Sequence, residues 1–525
     1  MDQFIHSCRH AENYPTNLVC SRYHAYELQE YLERFTASQR ALCYAEKDDK
    51  SKDWGIHVWE CNTPGQAFIQ KIIDTQDLLQ SHFGTADTQH RQDPKARYVF
   101  LHAKNARDRL NTTTPMLQTL LSHHQVNAAA IDQLLSYGRR KNEQDFSACA
   151  FRSEARLSQK HPGLALPELC RSGRQFELCY TLRTIEDPKQ WTMRQAATYH
   201  SFDIVTGRAF WLVIKASPNV RERLQETTGN SSALDTTSQC LDSALTSHLV
   251  MCKWANGNWR AYIGELEVEV HKLTKKATTF EAIPAPTVPT ETNTASHAPG
   301  PRPASTSLSR RSTLQRAGTF LAQPFSRRQT AQVQQASNAL QDVQLDHLSS
   351  DDEDNHFSIE DMQTIQTIEE KINTALLVLR TNHNTIDQLR NFYCTIQQFE
   401  GWPCDLAASS NEHIVQFAAS VANIETDLRL QQARLETLVR LLADRKALLY
   451  AIIENRNAES NKLLAQQSQH SQEKMEQLTS YMSILAEKTQ QETVSMRIIT
   501  LVTLFFLPGT FISVSRLVAL LPSTP

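Results

Sequence analysis

Hydrophobic and polar positions change rhythm several times along the chain. The opening stretch is mixed: Tyr23–Leu32 has helical spacing, and Trp54–Glu60 alternates as a strand does. From Asp93 the pattern sharpens. Ala96–His102 reads as a buried strand. Thr113-Thr114-Pro115 then offers an N-cap with proline in the first turn, and Met116–Leu121 supplies the apolar face of a helix. A second helix is predicted over Val126–Tyr137, closed by Gly138. Phe176, Leu178, Tyr180 and Leu182 mark a strand, and Ala197–Ile204 and Ala209–Ala216 a hairpin around Val205–Arg208. Leu241–Trp254 is helical up to the break at Asn256-Gly257-Asn258. Beyond it, Leu266, Val268 and Val270 alternate with glutamates, which predicts one more strand. Strands mixed with helices make 1–277 an α/β or α+β domain.

Residues 278–357 lose this patterning. Pro, Thr and Ala dominate Pro284–Pro303, then Ser, Gln and Arg. Such text buries too little apolar surface to offset chain entropy, so a disordered Pro/Ser/Thr-rich linker is expected. Residues 358–495 turn helical. Ser358-x-x-Asp361 resembles a capping box, and Ile365, Ile368, Ile372, Leu376, Leu379, Ile386 and Leu389 keep a mostly 3–4 spacing. Gly401-Trp402-Pro403 turns the chain. From Cys404 to Leu507 there is neither glycine nor proline. Leu428, Leu435, Leu438, Leu442, Leu449 and Ile453 form one stripe, and Met475, Leu478, Met482 and Leu485 another. As one helix, Cys404–Leu507 would run about 156 Å; an αα-hairpin or a break near Asn455–Asn461 is the alternative. A helical stalk or coiled coil is expected.

Met496–Ser515 differs from everything before it. From Ile498 to Ser515 there are 18 residues without a charge, roughly 27 Å of helix, close to the thickness of a hydrocarbon core. A single transmembrane helix over 496–515 is expected, with a short atypical tail, 516–525. Thr500, Thr503 and Thr510 fall on one helical face, which suits helix packing in lipid or the wall of a pore. Pro508-Gly509 is the expected kink.

The totals narrow the function classes. The 525 residues are 40% hydrophobic and 21% charged, with net charge −3, so nothing points to nucleic acid. Mean hydropathy is −0.46, which excludes a polytopic membrane protein. The 11 cysteines are scattered and odd in number, and the N-terminus has no secretory h-region, so reduced thiols and a cytosolic body are the default. His6 and His10 flank Cys8 without a further ligand, and the neighbours His123 and His124 point about 100° apart on a helix, poorly placed to chelate one ion. No catalytic or cofactor-binding constellation appears: there is no phosphate loop, no nucleophile elbow and no metal set. The expectation is therefore not an enzyme. In the linker, Arg310-Arg311-Ser312-Thr313 and Arg327-Arg328-Gln329-Thr330 read as basophilic kinase sites. Ser349 and Ser350, before Asp351-Asp352-Glu353-Asp354, read as acidophilic ones.

Leu435–Tyr450 (LETLVRLLADRKALLY) and Glu492–Ser513 (ETVSMRIITLVTLFFLPGTFIS), with Arg171–Arg174 (RSGR) and Tyr199–Trp211 (YHSFDIVTGRAFW), resemble the fungal CorA-like transporter-domain proteins of the CorA magnesium channel superfamily. The resemblance implies a cytosolic α/β domain, a stalk helix that becomes the first membrane helix, a second membrane helix, and pentameric assembly. It implies a membrane protein, homo-oligomeric through its stalks, with magnesium as the transported ion and no other cofactor. Pro508, Thr510, Phe511 and Ile512 match the end of the first CorA membrane helix. The family's later fixed positions fall on Val514, Arg516, Leu517, Val518 and Ala519, so the Gly-Met-Asn signature is missing. No second span follows in the sequence. Val514-Ser515 is also what a translated intron donor reads, so the expectation is a reading frame interrupted at Val514. Three functions compete: divalent cation transport, a membrane-anchored scaffold with a phosphorylatable linker, and a soluble coiled-coil protein.

Overall fold

Runs of aromatic and β-branched residues build a sheet whose central strands are buried on both sides. The computed structural model describes residues 1–47, 54–61, 68–84, 92–139, 150–160, 162–228, 234–278 and 359–519. Apart from Thr278, the expected linker lies outside them, and with it Thr313, Thr330, Ser349 and Ser350; so do Ser358 of the expected capping box and the tail from residue 520. The strands are β1 (Cys43–Tyr44), β2 (Ile56–Cys61), β3 (Ile69–Ile73), β4 (Ala96–Leu101), β5 (Leu110–Thr113), β6 (Arg152–Arg156), β7 (Gln175–Glu186), β8 (Thr192–Asp203) and β9 (Ala209–Ile214). Seven of them form one mixed sheet in the order β3-β2-β4-β9-β8-β7-β6, and β1 pairs with β5 apart from it. Only β4 and β9 run parallel within the seven, Ala96 opposite Ala209 through Leu101 opposite Ile214.

The helices are α1 (Asp2–Arg9), α2 (Ala25–Leu42), α3 (Gln76–Phe83), α4 (Thr114–His123), α5 (Ala130–Leu135), α6 (Pro218–Thr228), α7 (Thr237–Ala255), α8 (Trp259–Thr278), α9 (Ile359–Ile396) and α10 (Cys404–Ala519). They cover the two faces of the sheet. Cys179, Tyr199, Phe210, Leu212 and Ile214 pack with residues of α2 to α5 in one apolar core. The alternate positions point the other way: Phe176 meets Phe392 and Tyr393 of α9, and Trp211 and Tyr180 meet His248 of α7. Burial on both faces explains why Ala96–Leu101 and Ala209–Ile214 are apolar nearly throughout. A mixed α/β body followed by a long helix is thus the architecture.

Local chemistry sets the boundaries. Thr113 caps α4, its Oγ1 accepting from Met116 N, with Pro115 in the first turn. The helix expected over Val126–Tyr137 shrinks to α5, and Gly138 beyond it sits at φ +104°, with Arg139 N bonded to Ala41 O. The strand expected at Leu266–Val270 is a correction: that segment is α8. Trp259, Ile263, Leu266 and Val270 are all buried, at spacings of four and three, while Val268 is 67% exposed. A Glu-Leu-Glu-Val-Glu-Val run satisfies both periods, and the helical one wins because Trp259 and Ile263 extend the same buried stripe.

The chain divides into two units, Met1–Leu442 and Ala443–Pro525. In the first, every member of the α9 stripe from Ile365 to Leu389 named above is buried, as are Leu428, Leu435, Leu438 and Leu442 of α10. Asn382 ties α9 to the sheet, accepting from Arg183 N at 3.1 Å and donating to Arg183 O at 2.6 Å. Arg434 of α10 reaches Glu267 of α8 at 2.9 Å. The hairpin or break near Asn455–Asn461 does not occur: that segment lies within α10, a single helix of 116 residues.

Candidate functional site

Two places in the fold carry chemistry, one on α10 and one at the sheet. On α10 the most apolar stretch has a mean hydropathy of 2.0 and is wholly exposed, which by length and composition suits a membrane span. Thr500, Thr503 and Thr510 lie there, all exposed. Each hydroxyl donates back to its own helix: Thr500 to Met496 O, Thr503 to Ile499 O at 2.9 Å, and Thr510 to Phe506 O at 3.0 Å. Back-bonding of this kind satisfies the hydroxyl proton in an apolar setting and leaves oxygen lone pairs facing outward. Pro508 stands inside the helix without ending it, and a Cβ on Gly509 would meet nothing within 4 Å.

The second place is a chain of buried charges at the N-terminal end of β4 and the C-terminal end of α4. Asp93, just before β4, accepts from Arg171 Nε at 2.6 Å and from Arg97 Nη1 at 3.0 Å. Arg97 Nε also donates to Glu60 Oε1 at 2.8 Å, and His82 Nε2 lies 3.1 Å from the same oxygen. Arg171 Nη1 donates to the carbonyl of His123 at 2.8 Å. The rings are held by stacking: His123 on Phe83 at 4.2 Å and His124 on Phe210 at 3.6 Å between centroids. His124 Nε2 lies 3.2 Å from Arg97 Nη1 and accepts from it as a neutral imidazole.

The electrostatics follow from this packing. Burial alone would raise the Asp93 carboxyl, but the Arg171 charge, the His123 hydrogen bond and Arg97 outweigh it and hold Asp93 well below the usual carboxylate range. Burial likewise opposes ionisation of Glu60, yet His82 and Arg97 bring it down to about 2. Burial lowers His123 to about 4, and burial with the Arg97 charge holds His124 well below its ordinary 6.5. Both histidines are therefore neutral structural rings. Among the described residues no group of three or more His, Cys, Asp or Glu is placed to hold a metal ion.

Beside this chain lies a cavity of about 70 Å³. Arg97, Arg156, Arg171 and Arg208 line it, with Asp93, Glu177 and Asp203. The two sequence motifs around RSGR and YHSFDIVTGRAFW meet here. Ser172 N and Oγ donate to Asp203 at 2.7 and 2.8 Å, and Ile204 N donates to Arg174 O at 3.0 Å. Asp203 also caps its own turn, accepting from Val205 N and Thr206 N at 2.9 Å each. Gly173 at φ +76° and Gly207 at φ +70° supply the left-handed turns that let both loops close on the cavity. Arg174 donates from Nε to Leu157 O at 2.8 Å and from Nη2 to Gly401 O. The sequence marked these motifs only as pattern. Asp93 and Arg97, which complete the site, carry no local signal, because Arg171 lies 78 residues from Asp93 and Glu60 lies 37 from Arg97.

A family model described as CorA-like transporters matches residues 6–278, more than half of the 525-residue chain. The chain belongs to the CorA-like transporters. The match begins well before Asp93 and ends with α8, so every residue lining the cavity of this CorA-like transporter falls within it. No curated protein matches the chain. Among solved structures, the cytoplasmic domain of ZntB from Vibrio parahaemolyticus is similar over 75% of this chain and 99% of its own, at 10% identity and a TM-score of 0.31.

Proposed function

We propose that this CorA-like chain is an integral membrane protein that moves a divalent metal cation, with magnesium as the first ion to test. Residues 496–515 are the span, and the body formed by residues 1–277 faces the cytosol. The observation that carries the reading is the continuity of α10, which runs without a break from the buried stripe at Leu428–Leu442 into the charge-free stretch from Ile498 to Ser515. Met475, Leu478, Met482 and Leu485 stay exposed on α10 at spacings of three and four. An apolar stripe of this kind is covered when stalks pack together, so the functional unit is a homo-oligomer. Thr500, Thr503 and Thr510 then line the packed or pore-facing side.

One observation favours a second reading. Leu517, Val518 and Ala519 stand where CorA channels carry their Gly-Met-Asn mouth, and Val514 and Arg516 replace the fixed positions before it, so the ion-selecting element is replaced. Under that reading the protein is a membrane-anchored scaffold, regulated through Thr313, Thr330, Ser349 and Ser350. Uptake of magnesium or cobalt by a transport-deficient host expressing the chain separates the two. Transport predicts uptake above the empty-vector level, weakened by Thr503→Val if the threonine face lines the path. Membrane insertion verified by carbonate extraction, without uptake, leaves the scaffold.

A further inference from the structure

The cavity beside Asp93 holds more cationic hydrogen-bonding capacity than its own residues use. Arg97 and Arg156 are committed, to Glu60 and Asp93 and to Glu154. Arg171 spends Nε on Asp93 and Nη1 on the His123 carbonyl, but its Nη2 is buried with no partner. Arg208 is the sharper case. Its Nε is buried with no partner, and its side chain has no ion pair among the described residues. Asp203, which lines the same cavity, already accepts from Ser172 N, Ser172 Oγ, Val205 N and Thr206 N. Glu177, the remaining carboxyl at the cavity, accepts from Gln175 at 2.7 Å. Burial, followed by the neighbouring Glu154 charge, raises it to about 7, so it is only partly ionised at neutral pH.

Water fits such a space, since a cavity needs only about 10–15 Å³ per water on this measure. Water, however, supplies acceptors one at a time, whereas an oxyanion offers paired acceptors to the unpartnered guanidinium donors at once. We propose that this cavity binds a small oxyanion, a phosphate or carboxylate group, between Arg208 and Arg171. The planar guanidinium fork matches both groups in geometry and charge. The aromatic floor is Phe210, already stacked on His124, and the glycine turns at Gly173 and Gly207 bring the two arginine loops together. The inference concerns the N-terminal body and is independent of whether the membrane segment conducts ions.

The test uses the full chain in detergent, titrated by calorimetry and thermal melting with inorganic phosphate, sulfate, acetate and citrate, each matched in ionic strength by sodium chloride. At least one oxyanion binds and raises the melting temperature of the wild type. Phosphate and sulfate against acetate and citrate tell which group the site takes. Arg208→Gln binds it at least tenfold more weakly, and without the oxyanion it melts no lower than the wild type, because it loses only an unpaired cation. Arg208→Lys, which keeps the charge but not the fork, binds with intermediate strength and serves if the glutamine variant does not fold. Arg223→Gln, on the exposed face of α6, binds as the wild type does. The proposal is overturned if no oxyanion acts beyond chloride, or if the Arg208 variants bind as tightly as the wild type.

Discussion

Arg171 Nε lies 2.6 Å from Asp93 Oδ2, joining two segments 78 residues apart in a nearly dry setting. Both side chains are mostly buried, at 14% and 12% exposure, and Arg97, at 4%, shares the same carboxylate. Asp93→Asn leaves two buried guanidiniums short of their counter-charge. The expected loss is about 3–5 kcal/mol of stability, read from chemical denaturation of the full chain. The half-exposed pair Arg380–Glu436 is the control, where Glu436→Gln costs less than about 1 kcal/mol. Equal losses at the two sites would refute the role given to Asp93.

Acid destabilises this protein in two stages. Tyr180 OH lies 2.8 Å from His248 Nδ1, and His248 Nε2 lies 3.1 Å from His200 Nδ1, all fully buried. Burial lowers His248 from 6.5 to about 3, and His200 is lowered too. A histidine with a depressed folded pKa binds its proton more readily when unfolded, so stability is present above pH 6.5 and falls as pH drops toward 3. Glu60, lowered to about 2 from 4.5, and Asp93 add a second loss below about pH 4.5. Melting temperature followed from pH 7.5 to 4.5 falls in the wild type and less steeply in His248→Gln. Parallel curves would count against the histidine assignment.

Glu177 acts with the opposite sign. Its pKa rises to about 7 on folding, so its contribution is complete below pH 4.5 and is lost as pH rises through 7. Glu177→Gln keeps a neutral side chain at all pH values and gains stability relative to the wild type between pH 5 and 8. A difference between the two proteins that does not change with pH would exclude this.

The stalk stripe is tested by charge. Leu478→Glu with Leu485→Glu places two carboxylates on the exposed face of α10 and is expected to convert the assembly into smaller species. Light scattering behind size exclusion in detergent reads the mass; an unchanged mass would remove the stripe from the interface.

Phe505→Arg places a charge in the middle of the apolar stretch. Central arginine costs about 2.5–3.5 kcal/mol for insertion. The variant should shift toward the carbonate-extractable fraction, whereas Val268→Arg, on the exposed side of α8, should not move.

Elements with one clear period were legible from sequence. β7, β8 and β9 come from two-sided burial, and α4 comes with its Thr113 cap. The segment Leu266–Val270 was not, because six residues fit both periods and the deciding anchors, Trp259 and Ile263, lie outside that window, earlier in the same helix. The site was legible only in halves. RSGR and YHSFDIVTGRAFW stand out as text, but Asp203 meeting Ser172, and Arg171 meeting Asp93, are tertiary facts that no local spacing encodes. His123 and His124 show the converse. Adjacent histidines attract attention, and the fold uses them as neutral, stacked rings.

Tyr393 of α9 packs on Phe176 and His248, although Phe176 and Tyr393 are separated by the whole of residues 279–358. During synthesis the sheet is complete once β9 has emerged, yet one of its faces waits for α9 before it is sealed. At about 5–20 residues per second that interval lasts roughly ten seconds or more. Until α9 arrives, Phe176 on that face lacks its Phe392 and Tyr393 partners.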